Sequence, residues 1–186
     1  MRLTKAQRAE NHDRIVRVAA RLFREKGVDG VGIDEIMAEA GLTHGAFYGH
    51  FPSKAALIGE ASAYAMDDSG LARLEDDLPP GTHRSFPELA RRYLSVEHRD
   101  DPGQGCAVAA LAADIGRQDA ATQTRFAGNL EARLGELAER LPGDRKMARH
   151  DAMLKYAAMV GALVMARAVG KGALSDEVLD VVRERL

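Results

Sequence analysis

Apolar residues recur at helical spacing along nearly all of the 186-residue chain, and no stretch alternates with the two-residue rhythm of a strand. Ile15, Val18, Ala19, Leu22 and Phe23 fall on one face and predict a first helix from about Thr4 to Lys26, stopped by Gly27. A second, short helix begins near Ile33. Gly32 serves as its N-cap, Asp34 and Glu35 suit the positive end of its dipole, and Ile36, Met37 and Ala40 give it an apolar side before Gly41. Thr43 then caps a third helix, His44 to about His50, with Phe47 and Phe51 facing inward. Pro52 and Ser53 break the chain, and Ser53 caps a fourth helix that begins at Lys54.

Strong breakers divide the remainder. Pro79-Pro80-Gly81 ends the fourth helix, and Phe86, Leu89, Ala90, Tyr93 and Leu94 mark a fifth. A glycine-rich turn from Asp101 to Gly105 leads into an apolar helix from Cys106 to about Ile115. A long amphipathic helix covers Asp119 to Leu141, with Phe126, Leu130, Leu134, Leu137 and Leu141 on one face. Another runs from Lys146 to Val169, and Ser175 caps the last, which reaches Leu186. The expected fold is all-α, with about nine helices. Residues 1–53 form a three-helix, helix-turn-helix bundle, and residues 54–186 form a larger helical domain.

Composition narrows the function. Hydrophobic residues make up 46% and charged residues 29%, which suits a globular chain. A single cysteine, Cys106, excludes an intramolecular disulfide and fits a reducing compartment. The polar start is unlike a secretory signal, and the most apolar stretch, Tyr156 to Ala166, is far short of the roughly 18 residues of a spanning helix. A cytoplasmic protein without a membrane partner is expected. The net charge of −2 hides an asymmetry, because residues 1–26 carry eight Lys/Arg against three acids. There is no phosphate-cradling glycine loop, no Cys/His set at zinc spacing and no nucleophile motif. His83, His98 and His150 are scattered, so no metal, cofactor or enzymatic activity is expected.

The string Ala40-Gly41-Leu42-Thr43, then Phe47-Tyr48, His50-Phe51, Ser53-Lys54 and Leu57 resembles the DNA-binding half of TetR/AcrR-type transcriptional regulators. Gly105-Cys106 before an Ala-rich helix, and Gly161-Ala162-Leu163 with Leu174-Ser175, are more weakly similar to one branch of that family. The resemblance implies a ligand-responsive regulator, most simply a repressor, that binds a palindromic operator as a homodimer. It implies DNA contacts at Thr43, His44, Gly45, Tyr48, His50 and Lys54. Two departures stand out: Gly32 occupies a position where the family often uses a hydroxyl on a phosphate, and Gly45 and Gly49 leave few side chains on the recognition helix. Glycine there lets the backbone approach the groove closely. Taken alone, Tyr48 also fits a packing residue and His50 a capping or core histidine.

Ala158, Gly161, Ala162, Met165, Ala166 and Val169, with Leu179 and Val182 on the last helix, form a broad small-and-apolar surface and are the expected dimer interface. By the same resemblance, Tyr64, Phe86, Leu89, Tyr93, Cys106, Leu111 and Phe126 line a pocket for an unidentified small apolar effector, although taken one by one they fit plain core positions better. Cys106 follows a glycine turn. Both a reactive thiolate in a first helical turn and a small buried hydrophobe suit that place. Rival functions are an activator of the same fold, and an all-α binder or enzyme that keeps a vestigial helix-turn-helix.

Overall fold

The computed structural model describes residues 4–68, 73–75, 77–79 and 82–186, and among these it is helical with no strand. The α-helices are α1 (Lys5–Lys26), α2 (Ile33–Glu39), α3 (Lys54–Asp68), α4 (Phe86–Tyr93), α5 (Val96–Asp100), α6 (Ala107–Ile115), α7 (Ala120–Ala138), α8 (Arg145–Ala168) and α9 (Ala173–Arg183). Two short 3-10 helices cover His44–Gly49 and Arg73–Glu75.

Helix starts follow local chemistry. Thr4 and Gln7 close a capping box at α1. Asp119 accepts from the Thr122 N–H at α7, and Asp144 from the Lys146 and Met147 N–H groups at α8. At α3, Ser53 Oγ accepts from the Ala56 N–H at 3.1 Å, as its sequence position suggests.

Four expectations need correction. The helix starting at Lys54 does not run to Pro79; α3 ends at Asp68, and a separate 3-10 turn follows at Arg73–Glu75. A five-residue helix, α5, was not expected; Ser95 caps it through the His98 N–H. The third helix is 3-10, with i→i+3 bonds from the Ala46 N–H to the Thr43 carbonyl and from the His50 N–H to the Phe47 carbonyl. Two glycines in six residues and the following Pro52 deprive that segment of α propensity. The last helix starts at Ala173 behind Gly172, and Ser175 is not its cap. Its buried hydroxyl instead donates to the Ala166 carbonyl and accepts from Arg99.

Two hydrophobic clusters carry the fold. The first joins Ile15, Leu22 and Phe23 of α1 to Ile36 and Met37 of α2, to Phe47 and Phe51, to Leu57 of α3 and to Leu111 of α6. The second joins α4, α7, α8 and α9 around Leu89, Tyr93, Leu137, Met159, Leu163 and Leu179. Val108 and Leu130 pack against both. The core under the helix-turn-helix is thus completed by α3 and α6, and the boundary expected at residues 53/54 is not a gap in packing.

Of the residues expected around an apolar pocket, Phe86, Leu89, Tyr93, Cys106 and Leu111 are close-packed core, while Tyr64 and Phe126 are half-buried at its margin. A separate cleft lies elsewhere. It has about 920 Å3 and is lined by Glu75, His83, Arg84, Arg133 and Arg140 among others, so its wall is polar. Cys106 occupies the N-cap position of α6 rather than its first turn, with its thiol buried 3.3 Å from the Tyr156 hydroxyl.

The expected dimer residues divide in two. Ala162, Ala166 and Leu179 are buried inside the protomer, because they face α8 and α9 toward their own core. Ala158, Gly161 and Val182 are half-buried, and Met165 and Val169 are exposed. Leu154, 73% exposed, continues their stripe along α8, and Leu174 and Val181 form its counterpart on α9.

Candidate nucleic-acid interface

The 3-10 segment His44–Gly49 lies across the end of α2 and is anchored from below. Phe47 is fully buried, and its ring stacks on Phe51 with centroids 5.7 Å apart. With that floor in place, Thr43, His44, Gly45 and Tyr48 face solvent. Tyr48 is 63% exposed, and its ring meets Phe47 edge-on at 5.2 Å. The sequence left open whether Tyr48 is a packing residue, and its exposure argues against that role. Thr43 sits at the N-cap position, yet its hydroxyl makes no cap bond and is open to an external acceptor. The His44 ring is held by Asp34 of α2, which fixes its direction while placing a carboxylate at the rim.

Gly45 and Gly49 have no intramolecular reason to be glycine. A Cβ on Gly45 would meet nothing within 4 Å, and one on Gly49 would meet only the tip of Arg8 at 3.8 Å. Neither has the left-handed backbone that demands glycine. The fold bears the lost helix propensity without using the space.

His50 is turned inward. It is half-buried, with its ring 6.1 Å from that of His12. Burial first, then the neighbouring His12 and Arg8, lower its pKa from the ordinary imidazole value, so the ring is neutral near neutral pH. It is suited to hydrogen bonding rather than to phosphate neutralisation.

Lys54 is engaged within the chain: its ammonium donates to the Val28 carbonyl at 2.7 Å. An ammonium has three donors, so two remain for a phosphate at the start of α3. Val28 is held on its other side too, because its N–H donates to Asp114 of α6 at 3.0 Å.

The basic face of α1 is smaller than the sequence count implies. Arg24 is buried. Arg21 pairs with Glu25 and Glu39, and Lys26 with Glu35. Lys5, Arg8 and Arg17 remain exposed. Arg8 has a part that the reading of the recognition segment missed, since its guanidinium donates to the Gly49 carbonyl and ties α1 to the end of that segment. His12 reinforces the tie by bonding Glu60 of α3 and stacking on Phe51. The available signal was the i, i+4 placement of Arg8 and His12 on the polar side of α1.

No helix among the described residues is long and apolar enough to cross a membrane. Among them, no group of three or more His, Cys, Asp or Glu is placed to hold a metal ion.

Residues 15–61 match the family model described as bacterial regulatory proteins, tetR family. The chain is 41% identical over 96 residues to YerO of Bacillus subtilis, an uncharacterized HTH-type transcriptional regulator. That stretch is 49% of this chain and 31% of YerO, so the chain spans about a third of that relative's length. It is 32% identical over 99 residues to TtgW of Pseudomonas putida, another uncharacterized HTH-type transcriptional regulator, covering 52% of this chain and 70% of TtgW. A TetR transcriptional regulator from Legionella pneumophila shares the fold over the whole chain, with a TM-score of 0.74, 19% identity and 97% of that structure covered. The matching family model and the relatives agree: the chain belongs to the TetR family of bacterial regulatory proteins.

Proposed function

We propose that this chain is a ligand-responsive transcriptional repressor of the cytoplasm that binds a palindromic operator as a homodimer. The observation that carries the reading is the outward face of the His44–Gly49 segment. There Tyr48 stands exposed on a rigid aromatic floor between two glycines whose missing side chains the fold does not need. Such a face lets backbone and a planar side chain enter a groove together, with base edges read by Tyr48 and His44 and the register set by phosphate contacts from Thr43, Lys54 and the exposed cations of α1.

One such reader covers one half-site, and a palindrome needs two readers about 34–36 Å apart or a multiple of that. The stripe of Leu154, Met165 and Val169 on α8, beside Leu174 and Val181 on α9, supports a two-fold interface. Release would come from a small effector held within residues 54–186, and only through its different affinity for two reader spacings. Helix α3 runs from Lys54 at the reader to Asp68 beside the polar cleft, so it is the element such a ligand would move.

The test is selection of duplexes from a random pool with the purified chain, followed by titration at several salt concentrations. A selected palindrome, bound with a steep negative salt slope, is expected. Tyr48→Ala should weaken binding about tenfold or more, the cost of one good base contact. Retention of no duplex, or equal binding by the variant, would overturn the reading.

A further inference from the structure

Where α1 of the reader meets the larger domain, a second cleft of about 400 Å3 opens between α1, the Asp101–Gly105 turn, α6 and the end of α8. Its wall carries four cations, Arg24, Arg99, Arg167 and Lys171, against two acids, Glu25 and Asp100. Neither acid is free. Glu25 is paired with Arg21 at 2.7 Å, and Asp100 already serves both Arg99 at 2.7 Å and Lys171 at 2.9 Å.

Arg167 is the unbalanced member. It is half-buried, and among the described residues no carboxylate lies within 4 Å of it. Its acceptors are two backbone carbonyls, those of Arg99 at 3.1 Å and His98 at 2.8 Å. Gly105 makes room for it, because a Cβ there would meet Arg167 Nη2 at 2.7 Å. Arg24, across the cleft, is buried and donates to the Gly103 carbonyl at 2.7 Å. Its nearest carboxylate, Asp68, stands 3.8 Å away and is bound more closely by Arg73 at 2.7 Å. Burial lowers the pKa of both Arg24 and Arg167 from the ordinary guanidinium value. Arg99 is matched by Asp100 and Asp176, and Asp101 acts on Arg24 and Arg167 only from beyond contact, so Arg167 is the one guanidinium of the wall with no carboxylate contact among the described residues.

We propose that this cleft binds a small oxyanion, a phosphate or a short carboxylate, through Arg167, with the buried charge of Arg24 behind it and Lys171 at its mouth. Arg167 gives Nε and Nη2 to the two carbonyls and keeps Nη1 as a charge-assisted donor for such a group. Ala109, Ala110, Ala166 and Pro102 complete the lining and leave an apolar strip that a short acyl chain would cover. The bound anion would bridge α1 of the reader to α8, two elements that the Asp101–Gly105 turn and α6 join here. The inference does not depend on DNA binding.

The experiment is calorimetric titration of the full chain with sodium phosphate and, separately, with sodium butyrate, at constant ionic strength in chloride. One site per chain is expected for at least one of them, and the arm that binds distinguishes a phosphate site from a carboxylate site. Lys171→Ala, at an exposed position, should weaken binding about two- to fivefold. Arg167→Met should weaken it by more than about tenfold. Because Arg167 also holds two carbonyls, Lys171→Glu serves as a charge reversal that spares the fold, and it should weaken binding further than Lys171→Ala. No heat above the chloride control in either arm, or an affinity unchanged in Lys171→Glu, would overturn the proposal.

Discussion

Two tyrosines show how differently the two halves of the molecule use polar groups. Tyr48 stands 63% exposed on the His44–Gly49 segment, with its ring edge-on to Phe47. Tyr93 is fully buried in the larger domain, where its hydroxyl finds no hydrogen-bond partner among the described residues. Around Tyr93 the polar groups are otherwise matched inward. His98 donates through Nδ1 to the Tyr93 carbonyl and accepts the Cys106 N–H at Nε2, while the Cys106 thiol meets the Tyr156 hydroxyl. In the reader the hydrophobic floor is closed beneath the segment, so its outer face is free to meet something else. In the larger domain the polar groups are part of the packing, and their cost is offset only where a partner exists.

Neighbouring residues in the reader give the largest contrast. Phe47→Ala removes the floor and is expected to cost about 3–5 kcal/mol, seen as a large fall in the thermal midpoint. Tyr48→Ala, one residue on, should stay within about 0.5 kcal/mol of the parent. Similar losses for the two would erase the distinction between floor and face.

The larger domain should betray its inward polarity to acid. Burial, the main cause, lowers the pKa of His98 from 6.5 to about 4. The unfolded chain therefore takes up this proton first. Stability from the neutral ring is intact above about pH 6.5 and lost as the pH falls toward 4, by at most about 3 kcal/mol. His98→Gln, which keeps a donor and an acceptor but does not titrate, should flatten that part of the denaturant midpoint against pH.

The seam between the halves comes next. Asp114→Ala leaves the Val28 N–H without its acceptor and should cost about 1–2 kcal/mol. Hydrogen exchange at Val28 should quicken, and unchanged protection there would remove Asp114 from the seam. The smallest effect is expected at Gly32, where a Cβ would meet nothing within 4 Å and the N-cap has no side-chain bond. Gly32→Ser should add a few tenths of a kcal/mol and, if the reader meets DNA as proposed, tighten it slightly.

Much of this was legible beforehand, and unevenly. Helix positions in the reader follow from local rules, since Phe47 and Phe51 lie i, i+4, Gly27 and Gly41 have positive φ, and Ser53 precedes a helix start. The outward position of Tyr48 follows from the inward position of Phe47. The state of Lys54 does not, because its partner is a carbonyl 26 residues away. Arg24 reads as one more cation of a basic helix until the 101–105 turn is seen to cover it. On α8, periodicity identifies an apolar helix but not which side its own domain takes, so Ala162 and Ala166 face inward while Leu154 is left outside.

From the sequence alone came the all-helical class, the helix-turn-helix and its aromatic anchor, because these depend on spacing within a few turns of chain. Tertiary structure alone decided which charges are paired, which apolar stripe stays open, and that α3 and α6 complete the core under the helix-turn-helix. Burial and electrostatic pairing depend on distances between segments remote in sequence, and no local pattern encodes them.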